Sequence, residues 1–283
     1  MNAAYTYIII FIFLCLIGYI YYGYRSIEIR NKRILNELDK KSTHNPYAVF
    51  LLADLSRKCS LTDSKIGGIP YWDFSKHAYP VNDKGEYLLL LAQINLEQMR
   101  YELGENIKAC AETDILPKTG ILQFFIDDKD ELLGLDFNDM CHDDGFRVVF
   151  HRTIDNSITE ESISNQIKHT STKGNSNLIN GETKVNFRVG KMNEFWHSSG
   201  EPKDKLVAQM FGVPSFAQED PRNADSKYCR YNLLLLQSNS FYKKDVTYFN
   251  IEWGDFGFAH FFINEIDLEN LNFNNILYNW DCY

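Results

Sequence analysis

The sequence predicts a β-rich α+β protein, an internally duplicated domain of two similar strand-rich halves packed together and preceded by one transmembrane helix. Three observations predict it. Blocks of sequence recur in the same order in the two halves. The composition includes 20 Phe and 17 Tyr, and aromatic residues favour strands. No charged side chain occurs between Met1 and Tyr24.

The recurrence begins with Gly68 and Pro70, which match Gly212 and Pro214 at an offset of 144. At the same offset Leu89, Leu90, Leu91, Gln93 and Asn95 match Leu233, Leu234, Leu235, Gln237 and Asn239. After a seven-residue deletion, GILQFFI at Gly120–Ile126 aligns with GFAHFFI at Gly257–Ile263. Fixed-offset similarity marks repeated supersecondary units, and units too small to close a core pack on one another. The halves are expected at 47–158 and 187–283.

Taken in order, residues 1–24 contain the run TYIIIFIFLCLIGYIYY. About 20 residues at ~1.5 Å rise span a ~30 Å hydrocarbon layer, so residues 3–22 are expected to contact a lipid bilayer. Tyr5 and Tyr7 at one end and Tyr19, Tyr21, Tyr22 and Tyr24 at the other form interfacial belts. Arg25, Arg30, Lys32 and Arg33 follow the run. Basic residues stay inside, which predicts a single-pass protein of the bacterial inner (cytoplasmic) membrane with its C-terminal domain in the cytoplasm. Residues 25–46 carry Ile27, Ile34, Leu35 and Leu38 at helical intervals, as in a stalk that Pro46 ends. A helix is expected at 48–58, from Val49, Leu52, Leu55 and Cys59 on one face, and another around Leu96–Leu103. LLLLAQI and ILQFFI are short apolar runs, which read as buried strands. Residues 159–186, rich in Ser, Thr, Asn and Gly, read as a long linker loop.

A net charge of −9 and a pI near 5.3 argue against a nucleic-acid partner. The six cysteines, Cys15, Cys59, Cys110, Cys141, Cys229 and Cys282, are dispersed with no CxxC pair and read as free thiols. Cys141-His142-Asp143-Asp144 with His151 lacks standard zinc-ligand spacing and reads as a polar turn. FFIDDKDELLG lacks the register of a calcium loop. Neither a phosphate-cradling glycine loop nor a nucleophile elbow occurs, so no metal or cofactor is expected.

The motifs SKIGGIPYW, LLLLAQINL, LPKTGILQFFI, PSFAQEDPR, NIEWGDFGFAHFFI and the terminal LYNWDCY resemble the YwqG-like family of bacterial proteins, in family order over residues 47–283. The resemblance implies a β-rich α+β domain with an internal duplication. It implies no reaction and no catalytic residues.

Residues found in one half only are the better functional candidates, because the shared ones serve the fold. Trp253-Gly254-Asp255 stands where the first half has Leu116-Pro117-Lys118, and AQEDPR supplies Glu219, Asp220 and Arg222. Paired carboxylates perform acid/base work when burial separates their pKa values, which makes Asp255, Glu219 and Asp220 the catalytic candidates and Trp253 and Arg222 the binding candidates. The structural alternative is a salt-bridged turn at 219–222, a hairpin cap at Asp255 and a core Trp253. Gln93 and Gln237, in otherwise apolar strands, read as amides satisfied by neighbouring backbone. Two functions of different class follow. One is a protein-interaction module at the cytoplasmic face of the membrane, with a protein partner; the resemblance adds an immunity-like or scaffold role. The other is a hydrolase-like enzyme or small-ligand binder with acidic residues in the cleft between the halves.

Overall fold

The run YAVFLLAD is apolar on both faces, and in the computed structural model it is a strand, β1 (Tyr47–Asp54), with Ala48, Val49, Phe50 and Leu51 all buried. This corrects the helix expected at 48–58. The i, i+3 spacing of Val49 and Leu52 was read as one face, but Phe50 and Leu51 between them are equally apolar, as in a strand covered on both sides. The structure describes residues 46–56, 58–129, 131–167, 178–192 and 205–283.

The remaining strands are β2 (Lys65–Gly67), β3 (Leu89–Asn95), β4 (Ile121–Ile126), β5 (Phe146–His151), β6 (Ile179–Asn180), β7 (Glu182–Lys191), β8 (Leu206–Met210), β9 (Leu233–Asn239), β10 (Asn250–Ile251), β11 (Phe258–Ile263) and β12 (Ile276–Asp281). Ten of them form one antiparallel sheet in the order β12-β11-β9-β8-β1-β7-β2-β3-β4-β5, and β10 pairs with β6. Among the described residues four short α-helices accompany them: α1 (Leu96–Leu103), α2 (Glu160–Gln166), α3 (Pro221–Ala224) and α4 (Glu265–Glu269).

The order places β2-β3-β4-β5 at one end and β8-β9-β11-β12 at the other. The two sets match in detail. The β3–β4 register slips at Leu91, between Leu90 and Ala92, and the β9–β11 register slips at Leu235, the residue 144 positions on. Each slip is a bulge. Two successive left-handed residues stand at matching places where β2 and β8 end, Gly67 and Gly68 in one set, Phe211 and Gly212 in the other. The sets join edge to edge through the β1–β7 pair, with β1 beside β8 and β7 beside β2. Each set therefore borrows its central neighbour from the other part of the sequence.

The sheet curls until its ends meet. Phe124 on β4 lies 5.2 Å from Phe261 on β11, and Phe146 on β5 lies 5.0 Å from Tyr278 on β12. The segment between β4 and β5 lines the β12 edge: Tyr278 N donates to Met140 O at 2.9 Å and Trp280 Nε1 to Leu132 O at 2.6 Å. Each fully buried Leu or Phe in this core contributes about 1.5–3 kcal/mol.

Two further corrections concern the fold class and its placement. Among the described residues no helix is long and apolar enough to cross a membrane. The expected span at 1–24 and most of the expected stalk lie outside the described residues, and the inner-membrane, single-pass placement built on them is not carried further. The expected loop at 159–186 contains α2, β6 and the start of β7, while 168–177 lies outside the described residues. Thr159 and Ser162 form a capping box that starts α2, and Ile163 and Ile167 are enough to bury one face.

Candidate functional site

Each half holds a Gly-X-Pro loop against the sheet with a row of buried polar side chains. In the first half Lys65 Nζ donates to Ile69 O (2.5 Å), Gln93 Oε1 accepts from Tyr71 N (2.9 Å), and Gln123 Nε2 donates to Tyr71 O (2.7 Å). In the second, Gln209 Nε2 donates to Val213 O (3.0 Å), Gln237 Oε1 accepts from Ser215 N (2.7 Å), and His260 Nε2 donates to Ser215 O (2.7 Å). The three positions correspond pair by pair. Buried polar groups require partners, and here the partner is the loop backbone, so these residues serve the fold.

The AQEDPR stretch is a salt-bridged turn. Asp220 caps α3, and its carboxylate takes Arg222 Nε at 2.9 and 3.1 Å and Nη2 at 2.6 Å. The guanidinium also lies 4.1 Å over the Phe262 ring. The carboxylate is thereby engaged by Arg222. Glu219 is exposed ahead of this turn. Trp253 is fully buried, donates from Nε1 to Ser238 Oγ (3.1 Å) and stacks at 6.2 Å on Trp280, so it offers no surface to a ligand.

Asp255 occupies a different setting. It is exposed and lines a pocket of about 450 Å³ formed wholly by residues 240–256. Phe241, Val246 and Ile251 floor the pocket, with Tyr242 and Phe256 beside them and Lys244, Glu252 and Asp255 as its charges. Glu219, Asp220 and Arg222 do not line it. The excursion is strapped down: β10 pairs with β6, Glu252 N donates to Leu178 O (2.8 Å), and Tyr248 Oη donates to Leu55 O (2.6 Å).

The turn beside the pocket is strained. Gly254 has φ 51° and Phe256 has φ 55°. A Cβ at Gly254 would sit 2.7 Å from Cys282 Sγ, and one at Gly257 would sit 2.0 Å from Asp281 O. The backbone therefore presses against the C-terminal strand and turns Phe256 outward, leaving it 66% exposed. Tyr242, Tyr248 and Tyr283 are also exposed aromatics, and Tyr283 N donates to Asp255 O (3.2 Å). The matching first-half residues, 116–120, contain no aromatic.

Of the residues lining this pocket, the sequence singles out Asp255 and not Phe256, Tyr242, Lys244 or Glu252. The available signal was a bulky apolar residue between two glycines in GDFG, which Trp253 overshadowed. The 141–144 stretch is a turn ahead of β5 in which Asp143 pairs with Arg147 and His142 lies 3.3 Å from Asp144.

Fold and site define a duplicated antiparallel-sheet domain in which one half alone carries an acidic, aromatic loop platform. The chain belongs to the family described as a domain of unknown function, DUF1963, whose model matches residues 64–282; this is the YwqG-like family. No curated protein matches the chain.

Proposed function

We propose that this protein is a protein-interaction module whose contact face is the 240–256 platform. The observation that carries the reading is Phe256. A bulky residue in the left-handed region costs of order 1–3 kcal/mol and persists where the surroundings over-determine it, and here the strain delivers an aromatic side chain to solvent beside a pocket. Exposed aromatics grouped around a concavity are what interface hot spots are made of. The partner this chemistry fits is a polypeptide segment that seats an apolar side chain on Phe241 and Ile251 and brings Lys or Arg to Asp255 and Glu252. Asp220 is occupied by Arg222, Trp253 is sealed in the core, and Asp255 lines its pocket without Glu219 or Asp220 beside it, which favours the interaction reading over the hydrolase-like alternative.

Selection of a displayed random-peptide library against the full chain tests this. Enriched peptides should share an apolar anchor next to a basic residue, and Phe256→Ala should weaken them by roughly 30-fold or more, as at a hot spot. Enrichment that survives Phe256→Ala unchanged would place the contact face elsewhere.

A further inference from the structure

A second concavity, of about 460 Å³, lies between the outer edge of β5 in the first half and residues 271–274 of the second, and shares no residue with the 240–256 platform. One wall is residues 147–153 with Lys76 and His77, and the other is 271–274. The chain has 38 acidic and 29 basic residues, yet no carboxylate lines this groove, while Lys76, Arg147 and Arg152 do. Lys76 bonds Asp73 (3.0 Å) and Thr153 Oγ1 (3.2 Å), and Arg147 pairs with Asp143. Arg152 is exposed and makes no ion pair among the described residues. The Arg147–Asp143 pair is partly exposed on both sides and exchanges partners at little cost, while Lys76, about half exposed, has a third N–H beyond those given to the nearly buried Asp73 and to Thr153.

The floor holds a more specific feature. His151 is 2% exposed, and its ring is fixed edge-on by Tyr71 (5.2 Å), Trp72 (4.8 Å) and His77 (5.1 Å). Its tautomer follows from the amides behind it. Gln93 gives both Nε2 hydrogens to Leu61 O and Asp63 O, so its Oε1 must accept. Gln123 then gives one Nε2 hydrogen to that oxygen (2.8 Å) and the other to Tyr71 O, so its own Oε1 accepts. His151 Nε2, 2.9 Å away, is therefore the donor. Burial, reinforced by His77, pushes the His151 pKa down to about 4, so the ring is neutral at pH 7. Nδ1 is left as a bare acceptor, with no hydrogen-bond partner among the described residues, on a residue that lines the groove.

We propose that this groove binds a phosphate group that carries a hydroxyl, with Arg152 and Lys76 on its anionic oxygens and the hydroxyl donating to His151 Nδ1. Arg152, with the remaining N–H of Lys76, suits an anionic oxygen, and a fixed neutral acceptor beside them selects an anion that also has a proton to give. Hydrogen phosphate has one at neutral pH, and sulfate, of similar size and charge, has none.

Calorimetric titration of the full chain at pH 7 with sodium phosphate, sodium sulfate and glycerol phosphate separates the possibilities. Phosphate should bind saturably with Kd near or below about 1 mM, and sulfate at least roughly tenfold more weakly. Glycerol phosphate binding more tightly than inorganic phosphate would assign the hydroxyl to an organic ligand, and the reverse would assign it to free phosphate; either supports the site. Arg152→Gln and Lys76→Met should each weaken binding about tenfold, and Lys108→Met, on a distant exposed turn, should not. Absence of binding, equal affinity for sulfate, or equal loss with Lys108→Met would overturn the proposal.

Discussion

His260 and Gln123 stand at the same place in the two halves and make the same bond to the loop carbonyl, yet only the first half opens to solvent there. Beyond Gln123 lies His151, whose Nε2 bonds Gln123 Oε1 (2.9 Å) and which lines a groove. Beyond His260 lies Asp281, turned to Gln218 N (2.8 Å), and His260 itself is sealed between Phe216 (4.4 Å) and Phe262 (5.7 Å). The duplicated sheet keeps the side chains that fix loop backbone. It lets the ends of those loops and the β3–β4 and β9–β11 connections diverge; the 240–256 pocket is made from the last of these, and the other groove joins Lys76 and His77 of a loop end to β5 and residues 271–274.

The largest effect should come from the shared framework, and the halves should not respond equally. Gly212 has φ 69°, and a Cβ there would meet Ala48 Cβ at 2.8 Å and Ala48 Cα at 3.2 Å, on the adjoining central strand. Gly68 has φ 76°, but its first obstacle is the Glu182 carboxylate, the far end of a flexible side chain. Gly212→Val should therefore destabilise by about 4 kcal/mol or more and Gly68→Val by roughly half as much, read from denaturant midpoints. Equal losses would mean that φ alone sets the cost.

The second effect is acid lability. Burial holds His260, like His151, at a pKa of about 4, against an ordinary value of 6.5. Between those values the unfolded chain binds more protons than the folded one. Stability contributed by the neutral rings is then fully present above pH 6.5 and lost as pH falls toward 4, by on the order of 3 kcal/mol for each ring. His260→Gln installs the residue that the first half uses at the matching position. It should keep the bond to Ser215 O, leave stability at pH 7 within about 1 kcal/mol, and remove about half of the loss between pH 6.5 and 4. Comparison with the parent cancels the carboxylates that titrate lower, including Asp73 near 2. An unchanged pH profile would show that His260 is not protonated in the unfolding reaction.

The two halves also show what a sequence discloses. LLLLAQI and ILQFFI are visible as strands because their apolar runs are short and bounded, and Gly-X-Pro is visible because it recurs. The exchange of β1 and β7 is not visible, since nothing in YAVFLLAD states which half it will border, and its continuous apolar run fits a buried helix as well as a strand. Asp255 was legible as a half-specific carboxylate. Trp253 was misleading because residue type does not report burial. His151 was visible only as an ill-spaced companion of the 141–144 turn, because its setting depends on Gln123, 28 residues away, and on a tautomer set by a third residue.

Phe256→Gly should separate stability from recognition. Glycine removes the left-handed strain at a residue that is 66% exposed, so the fold should gain about 0.5–1 kcal/mol while selected peptides lose binding. A loss of stability would show that Phe256 is held by packing, which would remove the reason for assigning its exposure to a partner.

The smallest effect, and the sharpest test of the half-specific turn, is Asp255→Asn. The side chain is exposed, and the residue's hydrogen bond to the C-terminus is made by its backbone carbonyl, which accepts from Tyr283 N. That bond survives the substitution, so melting should shift by no more than about 0.5 kcal/mol equivalent. Binding of a basic peptide should weaken by about two- to fivefold, the worth of one exposed ion pair, and the deficit should vanish at high salt. A double-mutant cycle between Asp255→Asn and replacement of the peptide's basic residue isolates that term. Coupling near zero would detach Asp255 from recognition, and a collapse in stability matching Gly212→Val would make its side chain a cap of the turn. Either result would leave Phe256 to carry the platform alone.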